Sequence, residues 1–195
     1  MKLNDKILEH FNETLRVLVE SKKIIPKIEK ISKIIKEKIR KNKKVFVYGN
    51  GGSFADSSHF VGELIATYRK KKRRALPFCL LCSNTASLTA WSNDFNFDDF
   101  LVREFSSLNS KGDVLFLLST SGGNVKRKQS INLIKLVKFA KRRGIFIISL
   151  LGKGGGVLKN YSNETIIVDS NKTGTIQEIH KIILHSVCNY LDDCF

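Results

Sequence analysis

His59 and Glu63 stand four residues apart in the segment SSHFVGEL. On a helix that spacing puts both side chains on one face. An imidazole and a carboxylate in that arrangement can reach one cavity together, whether to meet a ligand or to hold a metal; a surface His–Glu pair has the same spacing. Directly upstream runs Gly49-Asn50-Gly51-Gly52-Ser53. Phe54 breaks the G-x-G-x-x-G spacing of a dinucleotide fold, and no Gly-Lys-Ser/Thr follows as in a Walker loop. What remains is either a tight strand-to-helix turn or a backbone that a ligand can approach closely, with Ser53 as the expected cap of the next helix and its amide facing an anion. Ser119-Thr120-Ser121-Gly122 follows the apolar run DVLFLL. Hydroxyls and helix N-terminal amides at one strand end make a phosphate site by chemistry, or a serine-rich cap. Near the C-terminus Gln177 and His185 are eight residues apart and fall on neighbouring helix faces, whereas His180 points elsewhere and reads as structural.

Apolar periodicity gives the scaffold on which these groups sit. Ile7, Phe11, Leu15 and Leu18, then Ile28, Ile31, Ile34, Ile35 and Ile39, recur at three and four, with Pro26 dividing them. This predicts two amphipathic helices whose apolar stripe needs the domain or a partner subunit to cover it. After Lys44 come short apolar runs, KVFVYG, PFCLLC, DVLFLL, IFIISLL and TIIV, separated by helix-length segments. Strands apolar on both faces and alternating with helices predict an α/β fold, a three-layer doubly wound sandwich on a parallel sheet of about five strands. Thr175 to Leu191 reads as a final helix. Residues 1–42 are expected to form an oligomerising helical pair and 43–195 the main domain. In such a sheet ligands bind at the carboxyl ends of the strands, which directs attention to GNGGS, STSGGN and GKGGG.

The chain has 195 residues and no apolar run long enough to span a bilayer, so a soluble protein without a membrane partner is expected. The N-terminus lacks the apolar core of a signal peptide, which predicts a cytoplasmic location. Cys79, Cys82, Cys188 and Cys194 are then expected as reduced thiols. The C-x-x-C at 79–82 lies inside an apolar run with no second pair of zinc-ribbon spacing, and reads as buried strand cysteines. A net charge of +16 raises nucleic-acid binding. Its distribution speaks against a specific site, because many of the basic residues are lysines interleaved with the isoleucines of the N-terminal amphipathic helices; only Lys70 to Arg74 and Lys126-Arg127-Lys128 are compact.

Taken in order and spacing, GNGGSFADSSHFVGEL, SNDFNF, LSTSGG, GKGGG and IQEIHKIILH resemble the sugar isomerase (SIS) domain family, and within it the phosphoheptose isomerases. The resemblance covers essentially the whole chain and implies a flavodoxin-like sheet and a homotetramer with active sites between subunits. It implies interconversion of sedoheptulose 7-phosphate and D-glycero-D-manno-heptose 7-phosphate, through an enediol, in bacterial heptose synthesis for surface glycans. By motif, His59, Glu63, Gln177 and His185 match zinc ligands, and Glu63 and His185 the acid/base pair. The resemblance further implies substrate contacts from Asn50, Gly51, Gly52, Ser53, Glu63, Asn93, Asp94, Ser119, Thr120, Ser121, Asn124 and Gln177. Thr67 and Thr175 stand where the family usually has arginines, and the loop after Gly122 is about six residues longer than usual, with Asn124 in place of a substrate-contacting serine and a KRK that could restore positive charge. An expectation of a different class is a noncatalytic paralogue resembling the DnaA initiator-associating protein, which acts by binding another protein.

Overall fold

A computed structural model describes residues 3–195, so the first two residues of the predicted N-terminal segment lie outside the described residues. Two helices lead, α1 (Leu3–Glu20) and α2 (Ile25–Arg40), joined by a 3-10 turn at Ser21–Ile24. Pro26 lies in the first turn of α2, where its missing N–H costs no helical hydrogen bond. There follow β1 (Val45–Gly49), α3 (Gly52–Ile65), β2 (Phe78–Leu80), α4 (Thr85–Asp94), α5 (Phe97–Leu108), β3 (Val114–Ser119), α6 (Ile131–Arg142), β4 (Phe146–Leu151), β5 (Glu164–Ile167) and α7 (Thr173–Cys194).

The five apolar runs are the five strands, all parallel, in the order β2-β1-β3-β4-β5. Side chains alternate between two cores, as a pleated strand requires. Val45, Val47, Val114, Phe116 and Leu118 pack with Phe60 and Leu64 of α3, Ile31, Ile35 and Ile39 of α2, and Ile179, Ile183 and Val187 of α7. Phe46, Tyr48, Leu115 and Leu117 face Phe105 of α5 and Leu133, Leu136 and Val137 of α6. The leading helices therefore share a core with the sheet. Along α1, however, only Val17 is buried.

The chain leaves β1 toward β2 on one side and returns to β3 on the other, which makes the β1/β3 border the topological switch point. Gly49 pairs in register with Leu118, so the glycine turn and the Ser119 loop leave the sheet side by side.

The run Lys70 to Arg74, expected as a compact basic patch, is partly built into the fold. Arg73 is buried and ion-paired to Asp192 at 2.8 Å. Arg69 and Lys70 reach Asp193 at 3.3 and 3.0 Å. The cysteines are all free. Burial pushes the thiols of Cys82 and Cys188 up to about 12, so both are held protonated and weakly nucleophilic.

Candidate functional site

The glycine turn has a steric rationale at each of two positions. A Cβ on Gly49 would lie 2.6 Å from Ser53 Cβ and 2.7 Å from its carbonyl oxygen. Gly51, at φ +56, occupies the N-cap of α3 in a conformation that only glycine takes without strain, and it faces open space. Ser53, expected as the cap, lies inside the first turn instead, because the reversal after β1 needs the left-handed residue at the cap itself. Its hydroxyl accepts from Gln177 Nε2 at 3.4 Å, and a Cβ on Gly52 would meet that same amide nitrogen at 2.6 Å. Gln177 of α7 is thus seated on the floor of the turn. The Asn50 carboxamide is engaged in hydrogen bonds with Asn132 and Tyr48. Asn132 and Tyr48 carried no motif that would have singled them out.

Beside the turn, Ser119 Oγ accepts from Gly122 N at 3.1 Å and Ser121 Oγ from Gly123 N at 3.2 Å. Both hydroxyls remain able to donate, as an anion requires. The expected helix N-terminus does not follow at once. A hairpin closed by the Asn124–Gln129 bridge intervenes, and α6 starts only at Ile131 with Ser130 at its N-cap. Asn124 accepts from Arg127 N at 3.0 Å, so its carboxamide oxygen serves the hairpin. The STSGG and GKGGG loops are zipped together: Val157 N and Leu158 N donate to the carbonyls of Gly123 and Gly122 at 3.2 and 2.8 Å. A Cβ on Gly122 would lie 2.0 Å from Gly155 O, and one on Gly156 2.5 Å from Gly123 O, so side chains are excluded where the two backbones touch.

On the neighbouring surface His59 and Glu63 of α3 meet His185 of α7. The two Nε2 atoms are 3.0 Å apart, Glu63 Oε1 is 3.5 Å from His59 Nε2, and Tyr68 stacks on the His185 ring. The cluster is open, with the His59 side chain 44% exposed. Gln177 precedes His185 by about 12 Å of helix axis and stays with Ser53. Among the described residues no group of three or more His, Cys, Asp or Glu side chains is placed to hold a metal ion as it stands. Asn93 and Asp94 end α4, exposed and bonded to each other at 2.9 Å. A cleft of about 390 Å³ between the glycine turn and α4 is lined by Tyr48, Asn50, Gly51, Phe54, Cys82, Thr85, Leu88 and Phe97, and none of His59, Glu63 or His185 lines it.

Thr175 is fully buried with its hydroxyl 3.4 Å from that of Thr14, so an arginine there would displace α1 from α7. His180 is enclosed, its Nε2–H donating to Leu151 O at 3.3 Å and its Nδ1 without a partner. Burial depresses this imidazole from 6.5 to about 4. The unfolded chain therefore binds the proton first, and His180 costs stability as pH falls from about 6.5 to about 4, at up to about 1.4 kcal/mol per pH unit. Urea midpoints at pH 7 and pH 5 should separate less in His180→Leu than in the wild type. An equal separation would show that another group carries the acid loss.

The SIS domain family model matches residues 8–152. The phosphoheptose isomerase of Nitratiruptor sp. is 41% identical over 159 residues, covering 82% of this chain and 81% of that protein. That of Campylobacter concisus is 36% identical over 172 residues, covering 88% and 87%. Among solved structures, a phosphoheptose isomerase from Francisella tularensis superposes with a TM-score of 0.91 at 28% identity, over 99% of this chain and 100% of that one. The Neisseria gonorrhoeae enzyme gives 0.88 at 30% identity, over 98% and 100%. By this match, identity and coverage, and by a fold shared over the whole chain, the chain belongs to the SIS domain family, among the phosphoheptose isomerases.

Proposed function

We propose that this chain interconverts sedoheptulose 7-phosphate and D-glycero-D-manno-heptose 7-phosphate, in the cytoplasm, for bacterial surface-glycan heptose. The observation that carries the reading is the meeting of His59, Glu63 and His185 across α3 and α7 beside a glycine turn and a hydroxyl loop. Moving a carbonyl between C2 and C1 removes a proton from one carbon and returns one to the other, with the oxygens exchanging a proton in the enediol. Glu63 and His185 are the groups that exchange these protons. Ser119, Thr120 and Ser121 hold the phosphate through their hydroxyls, Gly51 and Gly52 admit the sugar to the backbone, and Ser53 and Gln177 donate from the floor. Asn93 and Asp94, exposed at the end of α4, contact the sugar.

Two imidazoles and a carboxylate are the donor set of a catalytic zinc site. Zinc-bound nitrogens at 2.0–2.1 Å in a tetrahedron lie about 3.3 Å apart, close to the 3.0 Å between His59 Nε2 and His185 Nε2. His59, Glu63 and His185 would hold one zinc per subunit, and Gln177 would join them only after its side chain leaves Ser53. Bound there, zinc supplies Lewis-acid polarisation of a sugar oxygen.

An open cluster needs a cover that excludes water, and the exposed apolar residues Phe11 (68%), Leu8 (60%) and Leu15 (60%) of α1 need a partner. Both fit a homotetramer with active sites between subunits. A protein-binding paralogue without catalysis has no need of a converging His-Glu-His group. No described helix is long and apolar enough to cross a membrane.

The test is incubation of the purified protein with sedoheptulose 7-phosphate, with zinc and with chelator, following aldose phosphate, alongside sedimentation of the same preparation. Aldose formation by a tetramer is expected. No turnover under either condition would overturn the isomerase reading, and a monomer at micromolar concentration would overturn the assembly.

A further inference from the structure

Asn132 is the second residue of α6 and is 1% exposed. A buried asparagine in a helix needs partners for its carboxamide, and here all come from polar groups at the switch point. Its Oδ1 accepts from Leu133 N at 2.9 Å and from Asn50 Nδ2 at 3.0 Å, while its Nδ2 donates to Asn50 Oδ1 at 2.8 Å. A backbone N–H can only donate, so Leu133 fixes which end of Asn132 is oxygen, and the reciprocal pairing fixes Asn50 in turn. Tyr48 OH donates to the same Asn50 Oδ1 at 2.9 Å. That oxygen then has two donors and no lone pair left for a ligand.

The pair joins two parts of the site that are 82 residues apart in sequence. Asn50 is the first residue past β1 and is followed directly by Gly51 and Gly52. Asn132 lies in the same first turn of α6 as Ile134, and a Cβ on Gly123 at the end of the STSGG loop would lie 2.9 Å from Ile134 Cγ1. The amide pair is therefore a strut between the glycine turn and the loop of Ser119, Thr120 and Ser121.

We propose that Asn132, acting through Asn50 and braced by Tyr48, is a positioning residue that sets the separation between the sugar floor and the phosphate loop, and so the length of phosphosugar the site accepts. The inference rests on the phosphosugar isomerase reading. It assigns Asn50 a role through its held backbone and leaves direct contact to the amides of Gly51 and Gly52.

A misplaced strut harms a ligand that spans both halves and spares one that fills a single half. Calorimetry with sedoheptulose 7-phosphate and, separately, inorganic phosphate reads this without needing turnover. In Asn132→Leu the dissociation constant for the phosphosugar should rise about tenfold while that for inorganic phosphate stays within about twofold. In the assay KM should rise by a similar factor, with kcat falling less than about threefold. Tyr48→Phe removes one hydroxyl and keeps the amide pair, so it provides a variant that folds if Asn132→Leu does not; a rise of about threefold for the phosphosugar alone is expected. Unchanged phosphosugar affinity in a folded variant would overturn the proposal. So would parallel weakening of both ligands, which would make Asn132 a general support of the phosphate loop. Wild-type binding without turnover would remove the isomerase reading and leave the strut intact, whereas no wild-type binding of the phosphosugar would remove both.

Discussion

Glu63→Gln is expected to fold normally and to lose turnover of sedoheptulose 7-phosphate by about 10²- to 10⁴-fold, the range that a positioned acid or base contributes. The substitution keeps side-chain size and an oxygen toward His59 and removes the group that accepts and returns a proton. Glu63 is only partly buried, with 24% of its side chain exposed, so losing its charge leaves no stranded ion. The loss should fall on kcat and kcat/KM alike, since the interaction removed belongs to the transition state. A thermal midpoint close to wild type would confirm that the fold survives. Full turnover by this variant would remove Glu63 from the chemistry and leave His185 to act with another group.

The largest expected effect on stability lies behind the site, at Arg73 and Asp192. Their side chains are fully buried and meet at 2.8 Å. Arg73 also donates to the carbonyls of Leu64 at 2.9 Å, Glu63 at 2.8 Å and Arg74 at 2.6 Å. Two of these are among the last carbonyls of α3, which have no partner inside the helix. Asp192 further accepts from Arg69 N at 3.1 Å and Lys70 N at 2.8 Å. Burial alone would raise its carboxyl, but the Arg73 guanidinium and the two amides outweigh burial and hold it below the ordinary carboxylate range.

Truncating one partner strands the other charge, so Asp192→Ala and Arg73→Ala should each destabilise by about 3–5 kcal/mol. Urea unfolding of the two single variants and of Asp192→Ala combined with Arg73→Ala measures this. The double variant should cost far less than the sum, because neither buried charge then remains alone. Additive losses would show that the pair is not coupled. Since Arg73 grips the carbonyl of Glu63, the single variants should also lose activity at temperatures where they remain folded.

How much could be read in advance depended on whether the signal was local. Five strands, the leading helices and the final helix were legible because each repeats an apolar pattern within its own length; α7 merely runs from Thr173 to Cys194 rather than from Thr175 to Leu191. The His59/Glu63 spacing and the glycine turn were legible for the same reason. Hydroxyl preference points to Ser53 as the cap and says nothing of the left-handed turn that places Gly51 there. The basic run at 70–74 looked uniform, since charge in a sequence does not reveal that Arg73 faces Asp192, 119 residues away. The loop after Gly122 was legible as long but not as a hairpin that delays α6 to Ile131.

Sequence alone thus determined the layer architecture and the chemical types available at the strand ends, through patterns that each residue shares with neighbours a few positions away. Which of those types meet is set by contacts between elements far apart in the chain. His59 with His185, Asn50 with Asn132, Gln177 with Ser53 and Gly122 with Gly155 are contacts across 126, 82, 124 and 33 residues, made because the parallel sheet packs α3 against α7 and sets the loops after its strands beside one another and beside α6. Such pairings leave no period in the chain, because their spacing is set by the crossovers between strands and by backbones that touch where glycine alone fits.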